Sequence, residues 1–113
     1  MNVTTSRHNS VVVVHVTETR LTYPILSDFA TTVAALVAAG EKQILVDLSP
    51  VSYVDSATIG CLMDLYRQAS TAGGSLKLSG VQKRVETMLT MTGAQNFLEV
   101  HADQASALAS FGG

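Results

Sequence analysis

Val11 to Val16, read VVVVHV, is the stretch that most limits what this chain can become. Six residues are too few for a comfortable helix, and β-branched side chains favour an extended backbone. An unbroken apolar run also needs cover on both faces, so an interior strand is predicted here. Gln43 to Leu48 (QILVDL) repeats the pattern and closes on the turn residues Ser49 and Pro50. Between the two runs, Ile25 to Ala39 places Leu26, Phe29, Val33, Leu36 and Val37 on one face at helical spacing. Pro24 suits the first turn of that helix, and Gly40 suits the residue just past its end.

The remaining segments continue the alternation. A weaker strand, Val3 to Ser6, precedes the first run, with His8-Asn9-Ser10 as a hairpin turn. Ala57 to Ala72 is predicted as a helix with the stripe Ile59, Leu62, Met63, Tyr66 and Ala69, ended by Gly73-Gly74. Ser75 to Leu78 alternates as a strand does, and Val81 to Met91 carries Val85, Met88 and Leu89 on one helical face before Gly93. Phe97 to Val100 reads as a short last strand, and Asp103 caps a final amphipathic helix through Phe111. Strands joined through helices lie parallel with right-handed crossovers, whereas the first two, joined by a tight turn, pair antiparallel. The expected fold is a single α/β domain over residues 1–113, with a mixed, mostly parallel sheet of four to five strands and about four helices.

Composition narrows the function classes. At 113 residues and 47% hydrophobic, the chain has enough apolar surface to fold rather than stay disordered. Cys61 is the only cysteine, which excludes an intramolecular disulfide and a cysteine-based zinc cluster; no metal site is expected. No run approaches the roughly 18 apolar residues that span a bilayer, and the polar Met1 to Ser10 lacks the apolar core of a secretion signal. A cytoplasmic location without membrane insertion is therefore expected. Seven Lys/Arg face nine Asp/Glu, and only Lys83 and Arg84 are adjacent, so no direct nucleic-acid contact is expected. The neutral surface suits either a homodimer or a transient complex.

In open sheets of this kind, sites gather beyond the carboxyl ends of strands, where loops enter helices. That rule points to Thr22-Tyr23-Pro24 and to Val54-Asp55-Ser56-Ala57-Thr58. Asp55 and Ser56 are both favoured helix N-caps, and capping alone accounts for such residues. The functional alternative is that the Ser56 hydroxyl is presented for modification. A helix N-terminus stabilises a phosphate through its free N–H groups and dipole, so about −1.5 to −2 charges could be added beside Asp55 without unfolding the domain.

Other chemistry is poorly supported. A hydrolase would need Ser56, one of His8, His15 or His101, and an aspartate, but there is no G-x-S-x-G elbow and no diagnostic spacing. His15 reads as a packed or edge residue within its strand, and His101 as a surface residue ending one. Asp47 and Asp55, eight positions apart, are not placed on any shared substrate by the sequence. Gly73-Gly74 is a helix terminator rather than a phosphate loop. Cys61, beside the apolar stripe, reads as an inert thiol, and Met88 and Met91 read as core. Neither enzyme activity nor a cofactor is expected.

The run Ile44 to Gly60, ILVDLSPVSYVDSATIG, resembles the core of the STAS family, and within it the bacterial anti-sigma factor antagonists. Ala72 to Leu78 (AGGSLKL), and Val85 to Gly93 followed by Phe97-Leu98, extend the resemblance over nearly the whole chain; Asp55-Ser56 is its most specific part. The resemblance implies a STAS-like fold and a binding module that docks on an anti-sigma factor serine kinase and thereby releases a sigma factor. Phosphorylation, here of Ser56, reverses docking, and the partner supplies ATP and Mg²⁺. It implies a docking face of Thr22, Asp55, Ala57, Thr58 and Ile59, with Met63 and Arg67 on the exposed side of the following helix. Thr58 stands where the family commonly has glycine, and Arg20-Leu21-Thr22 where many members carry an acidic residue. The alternative is a non-switching STAS scaffold in a stress-signalling or transporter-associated complex, in which Ser56 remains a cap.

Overall fold

The computed structural model describes residues 3–111. In chain order the elements are β1 (Val3–His8), β2 (Val11–Val16), β3 (Arg20–Leu21), α1 (Tyr23–Ala38), β4 (Gln43–Asp47), β5 (Tyr53–Val54) and α2 (Ser56–Thr71). They continue as β6 (Ser75–Ser79), α3 (Lys83–Thr92), a 3-10 turn (Ala94–Asn96), β7 (Glu99–His101) and α4 (Gln104–Ser110). Five strands form one sheet in the order β1-β2-β4-β6-β7. β1 pairs antiparallel with β2 across the turn Asn9-Ser10, and every other neighbour in that sheet is parallel. Asn9 has the positive φ, 58°, that the first position of a two-residue hairpin turn requires. This is the mixed, mostly parallel sheet with four helices that the alternation of segments predicts.

The apolar runs in β2 and β4 are continuous because both faces of the sheet are covered. Val14, Val16, Ile44, Val46, Leu76 and Leu78 point into the larger core, against Phe29 and Val33 of α1, Leu62 and Leu65 of α2, and Val85 and Leu89 of α3. Val11, Val13 and Leu45 point the other way and meet Ala107, Leu108 and Phe111 in and just after α4. Three helices therefore lie on one side of the sheet and the short α4 on the other. None of the described helices is long and apolar enough to cross a membrane.

Several expectations shift. The buried side of α2 is Thr58, Ile59, Leu62, Leu65 and Ala69; Met63 and Tyr66 are half-buried at its margin. Leu65 pulls the stripe round because 58, 62, 65 and 69 follow the i, i+4, i+7 spacing of one face. Met91 does not join the core and is 76% exposed, since Val85 and Leu89 set the inward face of α3 and residue 91 lies far round from both. The last strand begins at Glu99, after a 3-10 turn that leaves Phe97 56% exposed and buries Leu98. The two-residue strands β3 and β5 pair in parallel as a separate small sheet, which the sequence pattern does not reveal.

Two glycines in and after α2 respond oppositely to a methyl group. At Gly74, between α2 and β6, an added Cβ would lie 2.7 Å from the Lys42 carbonyl oxygen, a backbone atom that cannot swing aside. Gly60 is exposed within α2 and has nothing within 4 Å of its Cβ position. Gly74→Ala should lower stability by about 1–3 kcal/mol through overpacking. Gly60→Ala should raise it by about 0.5–1 kcal/mol through backbone entropy. Denaturant midpoints of the two variants check the contrast.

Candidate functional site

The small sheet sets the geometry of the site. Arg20 and Leu21 of β3 run beside Tyr53 and Val54 of β5, and each strand passes through one linking residue into a helix. Thr22 links β3 to α1, and Asp55 links β5 to α2. Parallel strands of equal length thus deliver two helix N-termini side by side. The buried Leu21 and Val54 anchor the pair, and the Arg20 guanidinium lies 4.5 Å from the centre of the Tyr53 ring, a cation–π contact on the flank.

Asp55 joins the two helix starts. Its Oδ1 accepts from the Thr58 N–H at 2.9 Å, the expected N-cap bond of α2. Its Oδ2 accepts from the Tyr23 N–H at 3.0 Å, the first residue of α1. Thr22, the N-cap of α1, makes no capping bond with its own side chain, so Asp55 serves both ends. Partial desolvation pushes the Asp55 carboxyl up, but donation from the Tyr23 N–H and from the Thr58 hydroxyl and N–H outweighs it and holds the pKa below its ordinary value.

Thr58 closes the arrangement from beneath. Its hydroxyl is fully buried and sits 2.6 Å from the Leu21 carbonyl oxygen and 2.8 Å from Asp55 Oδ1, with one proton between two acceptors. A glycine there would lack this link between β3 and α2.

Of the residues expected on the docking face, Thr22, Asp55 and Ala57 are brought together around the exposed Ser56, the first residue of α2. Arg67 is exposed three turns along the same helix, and Met63 is half-buried against the core. Thr58 and Ile59 are corrections: at 0% and 4% exposure they lie under the surface, because their positions fall on the inward stripe of α2. The sequence rule that singled out Thr22-Tyr23-Pro24 locates a further feature. Tyr23, 74% exposed, borders an open groove of about 410 Å³ with Pro24, Leu26, Ser27, Ala30 and Cys61, between α1 and α2. Burial, and then the Asp64 carboxylate, push the Cys61 thiol up, which keeps it protonated. Among the described residues no group of three His, Cys, Asp or Glu side chains is placed to hold a metal ion.

The sequence model of the family described as Mlab, STAS domain matches residues 3–99. The chain belongs to the STAS family. The anti-sigma-B factor antagonist of Bacillus subtilis is 31% identical to this STAS domain over 55 residues, 49% of this chain and 50% of that protein. The chain thus matches about half the length of that curated relative. Among solved structures, an anti-sigma-factor antagonist (STAS) domain protein from Planctomyces limnophilus superposes with a TM-score of 0.89 at 18% identity, covering 98% of both chains. The Bacillus anti-sigma factor antagonist SpoIIAA, in its unphosphorylated form, gives a TM-score of 0.73 at 16% identity and 98% coverage of both. Its phosphorylated form gives 0.75 at 14% identity, covering 96% of this chain and 98% of that one. At these identities the superpositions speak to the STAS fold.

The Asp55 and Thr58 contacts yield two expectations. Thr58→Val should cost about 1–3 kcal/mol by leaving the buried Leu21 carbonyl without its donor, and Thr58→Ser should recover most of that loss. Because the folded-state pKa of Asp55 is lowered, its charge stabilises the fold fully above the ordinary value of 3.8 and progressively less as the pH falls through the folded value. The stability gap between the native chain and Asp55→Asn should therefore be constant from pH 7 to about 5 and close towards pH 3. Denaturation curves across that range measure it.

Proposed function

We propose that this STAS domain is an anti-sigma factor antagonist. It binds an anti-sigma factor serine kinase, displaces a sigma factor from it, and loses its grip when Ser56 is phosphorylated. The observation that carries this reading is the position of Ser56, exposed at the start of α2 while the structural bonds around it are made by Asp55 and Thr58. A phosphate ester on Ser56 breaks none of those bonds. The helix N-terminus, with that of α1 beside it, supplies positive potential for the new group. About −1.5 to −2 charges next to the ionised Asp55 would change the face a partner meets while leaving the architecture alone.

The comparisons support the same reading: the Bacillus subtilis relative is named an antagonist of an anti-sigma factor, and the fold is shared with SpoIIAA in both phosphorylation states. On this chain the contact face would comprise Thr22, Ala57 and the exposed line of α2 as far as Arg67. Met63 would stand at its margin, with the Tyr23–Cys61 groove adjoining. Thr58 and Ile59 contribute by holding that face in place. The kinase brings ATP and Mg²⁺; this chain contributes the hydroxyl. We place the exchange in the cytoplasm, where sigma factors act.

The test is a pull-down from the native cell with the wild-type chain, Ser56→Ala and Ser56→Asp, together with mass spectrometry of Ser56. Ser56→Ala should retain an ATP-binding kinase whatever the ATP supply, and Ser56→Asp should retain at least about tenfold less, the equivalent of 1.4 kcal/mol. Equal retention by both variants, with no phosphate on Ser56 under any growth condition, would instead establish a scaffold in which Ser56 is only part of a helix start.

A further inference from the structure

A second serine lies in a different chemical setting, on the α4 side of the sheet. Ser6 of β1, His15 of β2 and Asp47 of β4 come from three adjacent strands. His15 Nε2 is 3.0 Å from Ser6 Oγ, and His15 Nδ1 is 3.1 Å from Asp47 Oδ2. The pairing register puts His15 opposite Asp47 and diagonal to Ser6, which places all three side chains on one face. Among the described residues no imidazole is hydrogen-bonded to Ser56 in this way; His15 contacts Ser6 instead.

The order of these contacts sets proton positions. Asp47 is itself fixed, because its Oδ1 accepts from the Ser49 N–H at 2.9 Å. A carboxylate accepts from an imidazole N–H, and in the neutral imidazole with its proton on Nδ1, towards Asp47, Nε2 is an acceptor facing Ser6 Oγ. The imidazole is thereby held in the tautomer of a general base, by rigid strands rather than loops. Ser6 is half-buried, and the His15 and Asp47 side chains are 29% and 17% exposed, so the group is partly desolvated and partly exposed. β1 is an edge strand. A two-residue hairpin makes His8–Val11 a hydrogen-bonded pair, and by alternation Ser6–Val13 and Thr4–His15 as well. The N–H groups of Thr5 and Arg7, on either side of Ser6, then point off the edge of the sheet.

We propose that Ser6 is a nucleophile towards activated acyl esters, with His15 as its general base and Asp47 as a positioning residue. This goes beyond the partner switch and does not depend on it. In the acylation step Ser6 Oγ bonds to the ester carbonyl carbon and its proton passes to His15 Nε2. The carbonyl–alkoxy bond breaks, and the leaving oxygen takes that proton. Water attacks the acyl-Ser6 in turn, loses its proton to Nε2, and Ser6 Oγ recovers it as the acid departs.

The experiment exposes the whole chain to 4-nitrophenyl acetate and, separately, to a fluorophosphonate probe, and locates adducts by peptide mass spectrometry. Ser56, exposed at the start of α2, is the reference within the same molecule. Ser6 should carry at least about 10²-fold more adduct than Ser56, the size of a general-base effect. Ser6→Ala should abolish the adduct. His15→Gln should slow its formation about 10²-fold, and Asp47→Asn at least about tenfold, with circular dichroism confirming a folded chain. Should one variant not fold, the other carries the comparison, and the Ser6-to-Ser56 ratio in the wild-type chain needs neither. Equal labelling of Ser6 and Ser56, or an undiminished rate in folded His15→Gln or Asp47→Asn, overturns the proposal and leaves the three residues as a link between strands.

Discussion

The Asp55 carboxylate accepts from Tyr23 at the start of α1 and from Thr58 in the first turn of α2, so two helices share one acceptor group. Each helix start would otherwise expose N–H groups that only water could satisfy. Sharing the acceptor fixes the spacing of the two N-termini, and the short β3–β5 pair fixes their direction. The candidate site is what lies on top of this junction: Ser56, Ala57, Thr22 and the exposed edge of α2. Its shape is set by the half-buried Asp55 carboxylate and, beneath it, the buried Thr58 hydroxyl.

That division would let Ser56 accept a phosphate without loss of the fold. A residue that both supported the junction and received a phosphate would couple modification to unfolding. Here the support comes from Asp55 and from the buried Thr58 hydroxyl, which ties α2 to the Leu21 carbonyl. Thr58 ties α2 to β3 beneath the surface and places no second hydroxyl upon it. The side chain at position 58 points inward and leaves the exposed surface around Ser56 unaltered.

Much of this was legible in the sequence, and the limits have physical causes. Continuous apolar runs identify β2 and β4 because burial on both faces leaves no polar period, and helical spacing with Pro24, Gly73 and Gly93 bounds the helices. The rule that loops at strand ends carry sites finds both Thr22-Tyr23-Pro24 and Asp55-Ser56. It cannot show that the two segments touch, because that depends on β3 and β5, each too short to have a period. The resemblance puts Thr58 and Ile59 on the docking face, whereas a helix turns about 100° per residue and carries them under the surface. Pairing offset is equally hidden: His15 meets Ser6 and Asp47 only once the registers of two neighbouring strands are known.

The two sides of the sheet differ because the helices that cover them differ in length. α1 and α2 have 16 residues each, and with α3 they bury one face almost completely. α4 has seven residues, about 10 Å of helix against a sheet about 19 Å across. It covers Val11, Val13 and Leu45, and among the described residues that apolar cluster does not extend to His15 and Asp47 at the carboxyl ends of β2 and β4. Polar side chains are tolerated there, and partial burial requires that they bond to one another. Ser6, His15 and Asp47 meet that requirement in an order that also holds the imidazole as a base. Packing and latent reactivity therefore share one origin, a face of the sheet that its helix is too short to close.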